Sequence, residues 1–286
     1  MIDASPNILY TLRIGSKQVS KADFWRASMY TDYQGPVLER MVVTRDHTLQ
    51  IDLTQTPEEL IAAMKSNTRN EIRRAEREGY CVCRTEDTKQ FVDYYNHFAD
   101  EKQLGHISLS HLTRYGQHLQ LYSSSKDGQI LTMHASIVDN EQRKAYLLYS
   151  ASTRMDENAD RKAIGFANRY LHYAELLAFK EQGCTIYDFS GICLDRTNPV
   201  EYNIGIFKQA FGGSIVTRCH LMSRLMAILV RRNEHIETEV RINADDFGKT
   251  ESIRHFAKNN YESFIEINFV EEPQYKSIIG SGYKTD

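Results

Sequence analysis

The chain has 286 residues, enough for one large domain or two modest ones, and its 35 basic residues against 38 acidic leave a net charge of −3, so no global field selects a nucleic acid or an anionic membrane. The longest apolar run, Leu225 to Val230, is far short of the ~20 residues needed to cross a bilayer, and the opening MIDASPNILY has no basic segment followed by an apolar one. An odd number of cysteines, five, with no metal-ligand pairing completes the expectation of a cytoplasmic protein with reduced thiols and no membrane insertion.

Taken in chain order, Asn7–Ile14 and Val37–Val43 read as extended, Ser20–Met29 as helical and Leu49–Leu53 as extended again. Thr56-Pro57-Glu58-Glu59 is a helix start: a threonine cap, proline at the first helical position and acids in the first turn. A second helix opens at Ser66 or Asn67 and stops at Gly79; Gln90–Gln103 is amphipathic, with Phe91, Tyr94, Tyr95 and Phe98 on one side. Three strands follow, His118–Ser124, Ile130–Val138 and Lys144–Ser150, the first two joined by the hairpin signal Lys126-Asp127-Gly128. A long helix spans Ile164 to Gln182, Thr185–Phe189 is a strand, Val200–Phe211 a helix and Ser214–Cys219 extended. The last third predicts a helix over Leu221–Arg232 and a strand over Phe264–Val270. A meander, a long helix and a further strand imply a mixed α/β (α+β) sheet, not a doubly wound parallel one.

Three features carry candidate chemistry. Lys65, Arg69, Arg73 and Arg77 recur every four residues, so they form one cationic stripe; it is either a solvated helix face or a site for an oxyanion. Lys162-Ala163-Ile164-Gly165 sets a cation, preceded by Arg161, and a glycine where the long helix begins, as a pyrophosphate site would, or simply as a charged helix start with a packing glycine. Asp188 closes a strand, and about twenty residues on Lys208 sits between Phe207 and Phe211, either as catalytic groups or as a turn cap and a snorkelling lysine. Five of the ten histidines lie between His97 and His134 without a ligand pair on one helix face, which argues against zinc, and no metal is expected.

Three segments in order resemble the FemABX peptidyltransferases and the wider FemAB-like branch of the GNAT acyltransferases. They centre on the Arg-rich "RNEIRRAEREG", the strand end "YDFSG" and the segment "FKQAFGG", and the likeness as a whole covers roughly residues 48–220. The resemblance implies a GNAT-like, mostly antiparallel sheet flanked by helices, with a partial N-terminal subdomain over residues 1–55, the GNAT domain over 56–220 and a C-terminal extension over 221–286. It implies acyl transfer to an amine of a sugar, amino acid or peptide, in keeping with cell-envelope biogenesis, without metal or covalent enzyme intermediate. In that scheme Asp188 orients or deprotonates the amine, Lys208 stabilises charge on the donor or on the tetrahedral oxyanion, and Tyr149 hydrogen-bonds the acyl carbonyl. Arg161, Lys162 and Gly165 would hold the donor, expected to be a thioester such as acyl-CoA or acyl-carrier protein, and Arg69, Arg73 and Phe207 the substrate. The alternatives are an aminoacyl-tRNA donor, for which the stripe speaks and the net charge does not, and a binding module that keeps the fold without catalysis. A homodimer contact is a further expectation for the extension.

Overall fold

The computed structural model describes residues 1–5, 10–102, 104–153 and 160–233. The strand expected over Phe264–Val270, most of the C-terminal extension, and residues 7–9 of the first expected strand lie outside them.

Among the described residues ten strands form one sheet: β1 (Ile2–Asp3), β2 (Tyr10–Ile14), β3 (Ala27–Thr31), β4 (Met41–Asp52), β5 (Cys81–Thr85), β6 (Leu119–Lys126), β7 (Gln129–Asp139), β8 (Lys144–Ser152), β9 (Ile186–Gly191) and β10 (Ser214–Ser223). Their order is β1-β2-β3-β10-β4-β9-β8-β7-β6-β5, antiparallel except for the β2–β3 and β8–β9 pairs. The α-helices among the described residues are α1 (Pro57–Ala63), α2 (Ser66–Arg77), α3 (Thr88–Lys102), α4 (Leu109–Thr113), α5 (Arg161–Glu181), α6 (Pro199–Gln209) and α7 (Arg224–Asn233). This is the GNAT-like mixed sheet expected from the sequence.

Local chemistry explains most of the element ends. Thr56 and Glu59 form a reciprocal capping box ahead of Pro57, and Gly79, at φ +76°, ends α2 in the left-handed region. The helix expected over Ser20–Met29 is instead a single 3-10 turn, Lys21–Phe24, followed by β3. Long-range pairing outweighs the local pattern there. β3 is laddered to β2 on one side and β10 on the other, while buried Asp23 accepts hydrogen bonds from Thr11, Arg13 and Tyr30. The two strands expected over Val37–Val43 and Leu49–Leu53 are one twelve-residue strand, because β10 pairs with it from Met41 to Gln50.

Both boundaries drawn from the sequence are crossed by this one sheet. Residue 55 falls in the turn between β4 and α1, and residue 220 lies inside β10, which joins β3 to β4. On one face α1, α2 and α5 bury Leu49, Ile51, Leu60, Leu147, Leu171, Phe179, Tyr187 and Phe189. On the other, α3 and α4 cover Met133, Ala135 and Ala151.

Candidate active site

The two parallel strands at the centre of the sheet pair only through Lys144–Ile186, Ala145–Tyr187 and Tyr146–Asp188. Beyond that point β8 runs on to Ser152 beside β7 and β9 to Gly191 beside β4 without further pairing to each other, and the Ser190 hydroxyl donates to the Leu147 carbonyl across the opening. A bulge marks each strand just past the fork. Leu148 is the extra residue between the β7 partners of Leu147 and Tyr149. On β9, three residues (189–191) advance the register while β4 advances two, and Ser190 takes φ +58°.

Asp188 holds that bulge together. Its Oδ1 accepts from the Thr48 hydroxyl and, at 2.8 Å, from the backbone N–H of Ser190; its Oδ2 accepts from Gln50 Nε2 at 2.9 Å and lies 3.0 Å from Lys144 Nζ. Alternation places these groups on one sheet face: Asp46, Thr48 and Gln50 on β4, Lys144 and Tyr146 on β8, Asp188 on β9, Arg218 and His220 on β10. Lys144 also bonds Asp32 at 2.7 Å, and Arg218 holds Asp46 through both oxygens. Burial would push the Asp188 carboxyl up, but Lys144, Arg218 and the Thr48 hydroxyl outweigh it and hold it below the usual carboxylate range.

Asp188 is fully buried, and Lys208 is not among the groups that hold its carboxylate. The convergence of these two side chains expected from the sequence is therefore not what the structure builds. Lys208, half-buried on α6, donates from Nζ to the carbonyl of Gly191 at 2.6 Å, at the tip of the bulge that Asp188 shapes. The two residues are linked in series: carboxylate to Ser190 N–H, bulge, Gly191 carbonyl, ammonium.

Behind Lys208 lies a buried cluster missed in the sequence. His134 on β7 engages Glu175 Oε2 through Nδ1 at 2.7 Å and Asn168 Oδ1 through Nε2 at 2.9 Å. The His172 ring is 4.2 Å from that of His134 and packs against Phe189, Phe207 and Phe211. Burial, then His134, Lys208 and Arg169, push His172 well below the usual imidazole range, so it is neutral. Donor atoms of His134, His172 and Glu175 lie within 4.8 Å of one another, as a metal would require. Both nitrogens of His134 are already hydrogen-bonded, however, and two cations bear on His172, so the cluster stands as a hydrogen-bonded support for the Phe207 wall. Its only signal in the sequence is the i, i+3 spacing of His172 and Glu175; the third member comes from a strand about forty residues earlier.

The remaining expected site residues divide. Tyr149 sits on the part of β8 that pairs with β7 but no longer with β9, its hydroxyl 2.8 Å from His111 Nε2. Phe207 carries the Arg169 guanidinium 5.0 Å from its ring centre. Arg161 and Lys162 are exposed at the start of α5, but the N–H groups of Lys162 and Ala163 are taken by the Asp160 side chain, at 2.9 and 3.1 Å. At Gly165 an added Cβ would meet only Arg169 Nη1 at 3.5 Å, an ordinary contact, so packing does not demand the glycine. Arg69 turns back onto the carbonyls of Ala62 and Met64, capping α1, whereas Lys65, Arg73 and Arg77 are exposed. Two depressions of about 280 and 460 Å³ lie elsewhere, one beside Arg143 and Cys184, the other beside Asp87, Tyr94 and His97, and neither is lined by an expected site residue.

A strand, a long helix and a second strand that parts from the first, with a bulge at the fork, define the class: the protein has the fold of GNAT-type acyltransferases. No protein-family model and no curated protein sequence matches the chain. Among solved structures, FemX aligns with 82% of this chain and 85% of its own at TM-score 0.57 and 14% identity. L-PGS from Bacillus licheniformis aligns over 78% and 82% at TM-score 0.51 and 14% identity. A C-terminal DUF2156 domain from Agrobacterium fabrum, assigned to a lysylphosphatidylglycerol synthetase, aligns over 79% and 83% at TM-score 0.50 and 12% identity. At these identities the likeness is one of fold. No helix among the described residues is long and apolar enough to cross a membrane.

Proposed function

We propose that this chain transfers an acyl group to an amine, and that the donor is an aminoacyl ester of RNA and not a CoA thioester. The observation that carries acyl transfer is the Lys208 ammonium, fixed on the Gly191 carbonyl at the parting of β8 and β9. A carbonyl carbon lodged in that gap would have a cation beside its oxygen. The amine nitrogen bonds to that carbon, the ester C–O bond breaks, and the amine's surplus proton ends on the departing hydroxyl. Lys208 stabilises the intervening oxyanion. Asp188 is a positioning residue, since four donors already occupy its oxygens.

Two features favour an RNA ester over a thioester. The Asp160 carboxylate caps the N–H groups that a CoA pyrophosphate would need, and adds like charge there. Arg73 and Arg77 are exposed on α2, and Arg161 and Lys162 are exposed at the start of α5, cations suited to a polyanion in spite of the overall charge. Lysylphosphatidylglycerol synthetase, whose fold this chain shares, is itself named for an aminoacylated product.

The test is a thermal-shift screen with bulk charged tRNA, uncharged tRNA, acyl-CoA and free CoA, followed by a transfer assay with Lys208→Met. A ligand at a hundred times its dissociation constant adds about 2.7 kcal/mol to the native state. Charged tRNA should shift the midpoint, CoA should not, and Lys208→Met should keep its fold while losing transfer. Stabilisation and turnover by CoA thioesters would establish the thioester donor instead. Full activity in Lys208→Met would remove the proposed site.

A further inference from the structure

Three neighbouring strands, β3, β10 and β4, reach one end of the sheet together. β10 finishes there at Ser223, which pairs with Met41 at the start of β4 and accepts a hydrogen bond through its hydroxyl from the Ser28 N–H near the start of β3. The same hydroxyl accepts from the Met226 N–H and so caps the first turn of α7. The approach to β3, the approach to β4 and the start of α7 are thereby gathered at this end, on strands only ~4.8 Å apart.

Each of the three segments carries large apolar side chains in water. Trp25, two residues before β3, is 80% exposed, and Val37, four before β4, is 54% exposed. α7 is apolar on both sides. Met226 is buried and Ala227 and Val230 are partly covered, whereas Leu225, Ile228 and Leu229, at the i, i+3, i+4 spacing of one stripe, are exposed. A helix apolar all round is normally covered all round, and an exposed patch of this make-up marks an interface.

The charges around the patch select what covers it. Arg26, Arg40 and Arg224 are exposed, one on each of the three segments. Of the acids there, Asp23 is buried against Arg13 and Tyr30, and Glu39 alone is exposed. A second copy of the chain, related by a two-fold axis, would set these cations against one another. A bilayer with anionic headgroups meets both demands at once: guanidiniums reach phosphate, and tryptophan and aliphatic side chains enter the boundary with the acyl chains. We propose that this end of the sheet is a docking surface for an anionic phospholipid bilayer, with Trp25 and the outer stripe of α7 at the interface and Arg26, Arg40 and Arg224 on the headgroups. The chain lies on the bilayer and does not cross it, because the stripe is one face of a short helix whose other face packs on the sheet.

Trp25 is the only tryptophan of the chain, so its fluorescence reports on the patch without a label. The full chain is mixed with vesicles of phosphatidylcholine alone and with vesicles of equal parts phosphatidylcholine and phosphatidylserine. Only the second should shift the emission to the blue and shield it from acrylamide, and added salt should weaken both changes. Sedimentation with the same vesicles measures partitioning. Arg26→Gln, Arg40→Gln and Arg224→Gln should each weaken it about fivefold, the worth of one cation near such a surface. Leu225→Ser combined with Ile228→Ser should weaken it about tenfold or more. Should that double variant fail to fold, the arginine variants decide. Arg77→Gln, on α2, should partition as the wild type does; a loss equal to that of Arg26→Gln would mean a diffuse attraction and overturn the site. Emission that anionic vesicles leave unchanged overturns the docking surface. So does emission that moves to the blue with protein concentration alone, which would give the patch to a second copy.

Discussion

Asp188→Asn should damage the fold before it damages the chemistry. The carboxylate is ringed by four donors: the Thr48 hydroxyl and Ser190 N–H at one oxygen, Gln50 Nε2 and Lys144 Nζ at the other. An asparagine with its NH2 towards Gln50 and Lys144 loses two hydrogen bonds to a charged group; turned the other way it loses the one from Ser190 N–H, because the Thr48 hydroxyl can donate to the Ser190 carbonyl and accept from the amide. At about 1.5 kcal/mol each, the destabilisation is about 1.5–3 kcal/mol. The larger penalty for an abandoned buried charge does not arise, because Lys144 keeps Asp32 and Arg218 keeps Asp46. For a chain of this size the thermal midpoint should drop by roughly 3 °C or more. Urea unfolding of the wild type, Asp188→Asn and Lys208→Met, with transfer measured per folded molecule, makes the comparison. Stability within about 0.5 kcal/mol of wild type together with complete inactivity would refute the reasoning and restore Asp188 as a chemical group.

The buried charges also set an acid limit. Burial raises the Asp46 carboxyl, but the hydrogen bonds and charges of His220 and Arg218 outweigh it and hold it at about 2, against an ordinary value of 3.8. The unfolded chain therefore takes up the proton first. The contribution of Asp46 is complete above pH 4 and is lost as pH falls towards 2, an effect of about 1–2 kcal/mol after allowance for solvent screening. Unfolding free energies between pH 2 and 5 should slope less in Asp46→Asn; equal slopes would exclude Asp46 as the source. Gly213→Ala should destabilise by at least about 2 kcal/mol, since φ is +83° and a Cβ would stand 2.4 Å from the Gln50 carbonyl; a midpoint equal to wild type would show that β4 gives way.

Local signals in the chain reached as far as local physics does. The Thr56 cap, the stop at Gly79, the Lys126-Asp127-Gly128 hairpin and the long helix α5 each depend on residues near one another in the chain, and each is present. The strand–helix–strand unit and the Phe-Lys segment after it were legible for the same reason. β3 was not, because its neighbours β2 and β10 are pairing partners separated from it by chain of very different length, and the helical pattern of residues 20–29 says nothing of either. The site divides along the same line. That Asp188 ends a strand and Lys208 follows on a helix can be read from the sequence. Which donors and cations the carboxylate meets depends on Thr48, Lys144 and Arg218, which come from three other strands. An aspartate that looks like a catalytic base in one dimension is, once burial has stripped it of water, a carboxylate that must be fully bonded. Packing in three dimensions supplied the donors, and in doing so placed the carbonyl that holds the lysine.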